Sequence, residues 1–156
     1  MYRITILTIG TLKESYWREA MVEYVKRLTP YARLEIKELS ETPFRSASDK
    51  ARVIADEGER IMAQISADAA VILCDVAGRS VSSEEFAPAL KVKGESGAHL
   101  VFVLGGPLGV SEALQQRAQL RLSLSLLTFT HQLARIVLAE QLYRAMTIIH
   151  GKAYHY

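Results

Sequence analysis

The stretch that decides the fold runs from Leu120 to Tyr156 and reads LRLSLSLLTFTHQLARIVLAEQLYRAMTIIHGKAYHY. Leucine alternates with arginine and serine through residues 120–126, and this two-residue period predicts a strand. Residues 131–149 then read as one long helix whose apolar residues do not keep to one narrow stripe. A helix of that kind must be covered on more than one side. We therefore expect a second copy of the chain to cover it, giving a homodimer.

Length and composition indicate one domain with a substantial core. The chain has 156 residues, 49% of them hydrophobic, and a formal net charge of only +2. Cys74 is the single cysteine, which excludes a disulfide framework and a cysteine-based zinc site. The amino-terminal residues lack the features of a signal peptide, and no apolar run approaches the length of a membrane span. We expect a soluble, cytoplasmic protein with neither a membrane partner nor a metal.

Short apolar strands alternate with amphipathic helices along the rest of the chain. We predict strands near residues 4–9, 34–39, 70–74 and 99–104, and helices near residues 14–28, 46–65, 82–92 and 111–119. This alternation predicts an α/β fold with a mainly parallel sheet, formed as a single domain over residues 1–156. Two of the helices begin with capping-box patterns, Ser46 with Asp49 and Ser82 with Glu85.

Three loops follow the carboxyl ends of predicted strands, at residues 75–79, 105–109 and 126–130. In open α/β sheets, ligands bind at that edge, so these loops are the first candidates for a site. The loop GGPLG at residues 105–109 would let a ligand approach its backbone closely, because glycine has no side chain. It matches neither the dinucleotide-binding nor the P-loop pattern, and a tight turn without a ligand remains the alternative.

Other candidates each have a simpler structural interpretation. The LSLSLLTFTH segment also fits an amphipathic strand whose serines face water. Arg144 fits a surface ion pair with Glu140 four residues earlier, or a cation that grips a phosphate or carboxylate. Tyr154 and His155 fit either a frayed chain end or a tail that stacks a base and accepts a proton. The histidine spacing matches no zinc motif, so no metal is expected.

Taken together, these segments resemble the RlmH (YbeA-like) methyltransferases of the SPOUT class, which act on 23S ribosomal RNA. The resemblance is carried by LGGPLGVS at residues 104–111, LSLSLLTFTHQLARIVLAEQLYRA at residues 122–145 and the Tyr154-His155 pair, and it covers the whole chain. It implies a SPOUT-type α/β knot with helices on both faces of the sheet, and a trefoil knot within about residues 70–156. It also implies a homodimer packed through the knot and S-adenosyl-L-methionine as cofactor.

The resemblance further implies a reaction and its residues. The reaction is methyl transfer to N3 of a pseudouridine in helix 69 of 23S rRNA, on the assembled ribosome. The implied cofactor-binding residues are Leu73, which would pack on the adenosine, Gly105, Leu124, Ser125, Leu126, Leu127, Thr128 and Phe129. The implied catalytic residues are Arg144, Tyr154 and His155. If His155 is the base, activity should fall as pH drops through its pKa.

Three positions, Thr130, Ala153 and Tyr156, depart from the family pattern. Thr130 stands where the family has proline, and the tail reads Ala153-Tyr154-His155-Tyr156 where the family has proline before the Tyr-His pair and a basic residue after it. Lys152 is positioned to compensate for the missing charge. Two alternative functions stay open from sequence: a SPOUT-class methyltransferase of transfer RNA, and a non-enzymatic, dimeric α/β module that binds a nucleotide.

Overall fold

The computed structural model describes residues 1–152 of the chain. Its centre is a five-stranded sheet in the order β2-β1-β4-β3-β5, with every neighbouring pair parallel. The elements, in chain order, are β1 (Tyr2–Ile9), α1 (Ser15–Leu28), β2 (Ala32–Leu39), α2 (Lys50–Met62), β3 (Ala70–Ser80), α3 (Ser83–Glu95), β4 (His99–Leu104), α4 (Glu112–Arg117), β5 (Leu120–Ser123) and α5 (His131–Ile149). The predicted α/β fold is therefore confirmed. The strand order is compatible with the implied knot, which stays a prediction.

Helices cover both faces of the sheet because its strands are apolar on both sides. In β1, Ile4 and Ile6 belong to the core layer under α1, α3 and α5, whereas Leu7 and Ile9 belong to the layer under α2 and α4. The same division holds along the other central strands, where neighbouring residues face opposite layers. Among residues 1–152, no helix has the length and hydropathy needed to cross a bilayer.

Two strand ends differ from the sequence prediction. β3 continues to Ser80 rather than stopping at Cys74, because the strand bulges after Cys74 and pairs again with β5. This continuation is missed from sequence because it leaves the two-sided core: Val76 is already 50% exposed. β5 ends at Ser123 because the hydroxyl of Ser125 accepts a hydrogen bond from the Leu127 N–H, which turns the chain locally.

One of the two predicted capping boxes forms. The Ser82 hydroxyl accepts from the Glu85 N–H at 3.1 Å, and the Glu85 carboxylate accepts from the Ser82 N–H at 2.9 Å. The prediction for Ser46 with Asp49 is wrong. Asp49 instead accepts from the backbone N–H of Arg45, because a short 3₁₀ turn precedes α2 and alters the spacing.

Helix α5 packs one face against α1 and α3 and leaves another partly exposed. The buried face consists of Leu138, Ala139, Leu142, Ala145 and Met146. Positions 133, 137, 140, 144 and 148 form a face that remains partly or largely accessible. That face carries Leu133, Val137 and Ile148 as well as an ion pair, so the chain alone does not complete the cover that the apolar helix requires. The homodimer stays a prediction.

A buried arginine fixes the start of α5 on the sheet. Arg135 is only 1% exposed, and its guanidinium donates to the carbonyl oxygens of Ile9 and Gly10 at 2.9 and 2.8 Å. It also donates to the carboxylate of Glu38 at 2.9 Å, near the end of β2. Sequence reasoning placed this arginine on the helix without finding its partners, which lie more than ninety residues away in the chain.

We predict that Arg135→Met lowers the free energy of unfolding by about 3 kcal/mol, because it leaves two strand-end carbonyls and Glu38 without their donor. Urea denaturation followed by circular dichroism measures this change. Arg33→Met, an exposed arginine on β2, is the matched control and should change stability by less than about 0.5 kcal/mol. Equal stability of the two variants would contradict the structural role of Arg135.

Candidate functional site

A cavity of about 510 Å³ opens at the carboxyl ends of β3, β4 and β5, beside the first turn of α5. Its volume lies in the range typical of small-molecule sites. It is lined by Cys74, Asp75, Val76, Leu104, Gly105, Gly106, Pro107, Leu124, Ser125, Leu127, Thr128, Phe129, Thr130, His131 and Ala134. The three strand-end loops that the sequence singled out therefore meet at one place.

Most of the cofactor-binding residues implied by the resemblance line this cavity. Those that do are Gly105, Leu124, Ser125, Leu127, Thr128 and Phe129. Leu126 does not line it and is 82% exposed. Leu73 does not line it either, because its side chain is fully buried in the core layer under α2 and α4, and its contact with the cofactor stays a prediction. Because neighbouring strand residues face opposite sides, Cys74 faces the cavity instead.

The glycine loop forms one wall of the cavity, and two of its glycines have no room for a side chain. A Cβ at position 105 would collide with a methyl group of Val110. A Cβ at position 106 would collide with a carboxylate oxygen of Glu57, so the Glu57 side chain would have to move. The loop therefore presents its backbone to the cavity, as the GGPLG pattern predicted.

An ion pair between neighbouring strands borders the cavity. Asp75 on β3 accepts two hydrogen bonds from the Arg121 guanidinium on β5, at 2.5 and 3.2 Å, and a third from the Ala77 N–H at 3.0 Å. Burial acts to raise the pKa of Asp75, but these hydrogen bonds and the arginine charge outweigh it and hold that pKa below its usual value. The pair therefore stabilises the fold above the unfolded pKa of an aspartate, and this contribution is lost as pH falls through the lowered pKa.

The segment from 124 to 130 forms a second wall and leads directly into α5. Thr130 is the N-cap residue of α5, and its hydroxyl accepts from the Leu133 N–H at 3.3 Å. Its φ angle of −59° is close to the value that proline imposes. The backbone here consequently suits either residue, which explains how threonine can stand where the resembling family has proline.

The structure adds residues to the site that sequence reasoning missed. His131 lines the cavity, and its Nε2 lies 3.8 Å from the Glu41 carboxylate. Ala134 lies one turn of α5 closer to the helix centre, on the same cavity wall. Their position in the sequence could have identified them, because both residues belong to the first turns of a helix that begins at a strand-end loop. Within residues 1–152, no cluster of histidine, cysteine and carboxylate side chains could hold a metal ion.

Of the implied catalytic residues, the structure describes only Arg144, which does not line this cavity. Arg144 donates to the Glu140 carboxylate at 2.9 Å, so the predicted ion pair is confirmed. Arg144 follows Ala134 by ten residues on α5, which is about 15 Å along a helix. Tyr154 and His155 lie outside the described residues. Within one protomer, the cavity and Arg144 are therefore well separated.

Comparisons with known proteins agree with these features. A family model described as "Predicted SPOUT methyltransferase" matches residues 2–155. "Ribosomal RNA large subunit methyltransferase H" of Carboxydothermus hydrogenoformans and the protein of that name in Bacillus pumilus are each 44% identical, over 97% of this chain and 98% of theirs. "Putative ribosomal RNA large subunit methyltransferase H" of Methanocorpusculum labreanum is 43% identical over 98% of this chain and 99% of its own.

We predict that the Cys74 thiol reacts slowly with a thiol reagent at pH 8. Burial raises the pKa of this thiol to about 12 from an ordinary 9.0, which lowers the reactive thiolate fraction about a thousandfold. Absorbance during labelling with Ellman's reagent measures the rate, and the same protein in urea is the control. Native labelling as fast as the unfolded control would contradict this prediction.

Proposed function

This chain belongs to the SPOUT methyltransferase family, and from that premise we propose that it transfers a methyl group from S-adenosylmethionine to N3 of a pseudouridine in helix 69 of 23S rRNA, on the assembled ribosome. The observation that carries the proposal is the strand-end cavity, with its glycine wall and its apolar second wall. Both walls come from segments that also carry the family resemblance.

The cavity suits S-adenosylmethionine in its size and in its chemistry. Leu124, Leu127 and Phe129 offer apolar surface for an adenine ring, while the bare backbone at Gly105 and Gly106 offers hydrogen-bonding groups at close range. Asp75 is held ionised at the border, where a carboxylate can accept hydrogen bonds from ribose hydroxyls. When bound, S-adenosylmethionine supplies a methyl group activated by its positively charged sulfur.

The proposed substrate follows from the relatives and from the resemblance. The relatives are named as methyltransferases of the large-subunit ribosomal RNA, which favours rRNA over transfer RNA and over a purely binding module. N3 of a pseudouridine lies between two carbonyl groups and must lose a proton before it attacks well. In this proposal His155 accepts that proton, and Arg144 and Tyr154 orient the base, so that both reactants are held at attack distance.

In this proposal the catalytic residues serve the cavity of a second protomer, and the length of α5 supports that arrangement. Ala134 lines the cavity, and the helix continues for fifteen residues to Ile149, a distance of about 22 Å. Lys152 is tied to the end of the helix, because its N–H donates to the Thr147 carbonyl at 2.9 Å. The described chain therefore ends, at Lys152, at the opposite end of α5 from the cavity.

An antiparallel pair of α5 helices would bring the end of α5 in one protomer towards the cavity of the other. Glu140 is the midpoint of α5. Two copies crossing antiparallel there would place Arg144 opposite position 136 of the second copy, close to that copy's cavity. The partly exposed face with Leu133, Val137 and Ile148 supplies apolar surface for such contact. The homodimer is therefore part of the proposed mechanism, since each site takes its tail from the other protomer.

The protein's charge favours a structured target over free RNA. A net charge of +2 gives little general attraction to phosphates, so affinity should come from the shape of a folded ribosomal surface. A substrate presented on the assembled ribosome fits that requirement.

We predict that the purified protein transfers tritiated methyl from S-adenosylmethionine to 23S rRNA of ribosomes from cells that lack it, and that the label maps to N3 of a pseudouridine. Bare 23S rRNA and bulk transfer RNA from the same cells are parallel substrates and should take up little label. Label confined to transfer RNA would retain the methyltransferase chemistry and contradict the ribosomal substrate.

We also predict that His155→Ala lowers kcat at least about a hundredfold while S-adenosylmethionine affinity, measured by calorimetry, stays near wild type. Wild-type activity should fall as pH drops, because a protonated imidazole cannot accept the N3 proton. The exposed His150→Ala is the matched control, with activity near wild type. Undiminished kcat in His155→Ala would exclude the proposed proton acceptor.

A further inference from the structure

A buried acid lies directly behind the glycine wall of the cavity. Glu57 on α2 is only 3% exposed, and one of its carboxylate oxygens, Oε1, accepts from the Thr42 N–H at 3.0 Å. The other oxygen, Oε2, is buried and has no hydrogen-bond donor among residues 1–152. It faces the backbone of Gly106, which lines the cavity on its other side.

The contact between α2 and the segment of residues 105–111 is close at two successive residues of the helix. Oε2 of Glu57 occupies the space that a side chain at position 106 would need. Gly58 lies equally close to Ser111, where a Cβ would approach the serine Cβ to 2.7 Å. Helix α2 is thus in close contact with this segment. The Glu57 carboxylate therefore lies beside a residue of the cavity wall, Gly106.

The charge of Glu57 has no counterion among the described residues, unlike the other acids near the cavity. Asp75 is paired with Arg121, and Glu41 lies beside His131. No lysine or arginine is among the residues described as lining the cavity. An unpaired buried carboxylate is costly, because folding removes it from water without a compensating partner. If Glu57 served only to hold Thr42, a neutral side chain with one acceptor oxygen would be sufficient.

We propose that Glu57 is a specificity-determining residue of the cofactor site, whose unpaired charge makes the cavity prefer the positively charged sulfonium of S-adenosylmethionine over the neutral sulfur of S-adenosylhomocysteine. Electrostatic attraction across the cavity wall acts at low local dielectric, where it exceeds that in water. Methyl transfer removes the sulfonium charge, so the same carboxylate favours release of the product. This inference rests on the proposed cofactor.

The test compares two ligands on matched variants by isothermal titration calorimetry. Glu57→Gln keeps the volume and an oxygen acceptor for Thr42 but removes the charge. We expect it to weaken S-adenosylmethionine binding roughly tenfold and S-adenosylhomocysteine binding less than about twofold. Glu59→Gln, an exposed acid two residues away on the same helix, should leave both affinities unchanged.

Glu57→Asp keeps the charge while shortening the side chain, so it should retain the preference for S-adenosylmethionine even where the melting temperature falls. Equal loss of both affinities in Glu57→Gln, or no loss of either, would overturn the inference and leave Glu57 as a structural anchor. Loss of the preference in Glu57→Asp would overturn it too. Wild-type protein that binds neither ligand would instead overturn the proposed cofactor itself, and the inference with it.

Discussion

The structure depends on one buried cation at the carboxyl edge of the sheet. Arg135 joins α5 to the last residues of β1 and to Glu38 on β2, through three hydrogen bonds. Burial lowers the pKa of Arg135, whereas the carboxylate of Glu38 acts in the opposite direction. His131 and Ala134, on the preceding turn, line the cavity. The hydrogen bonds of Arg135 that hold α5 on the sheet therefore also fix the position of one wall of the site.

The second constraint is the distance along α5. The helix starts at the cavity and runs 19 residues to the opposite edge of the sheet, where His150 and Lys152 lie against the ring of Tyr31. The cavity and the start of the chain segment that follows α5 are thus at opposite ends of one helix. In the proposed homodimer, a second antiparallel copy would cover the exposed face of α5 and would bring the tail of one protomer to the cavity of the other.

Sequence predicted what depends on local patterns. The alternation of short apolar strands, such as residues 70–74 and 99–104, with amphipathic helices predicted a parallel sheet, and the loops at the strand ends predicted where a cavity would form. The GGPLG loop was placed correctly for the same reason.

Features that depend on contacts between distant parts of the chain were not predicted from the sequence. The partners of Arg135, the acid behind Gly106 and the bulge that extends β3 depend on contacts between remote parts of the chain. Leu73 and Cys74 differ only in which face they occupy, and the continuous apolar run does not reveal that difference.

The most direct measurement is complementation between two inactive variants. Gly105→Val would distort the glycine wall of the cavity, because a side chain there would collide with Val110, and His155→Ala would remove the proposed proton acceptor. Refolding an equal mixture allows heterodimers in which one cavity and one tail remain intact. A site shared between protomers predicts recovery of about a quarter of wild-type methyl transfer to ribosomes, from random pairing with one intact site per heterodimer. No recovery above the separate variants, with heterodimers demonstrated by mass spectrometry, would contradict the shared site.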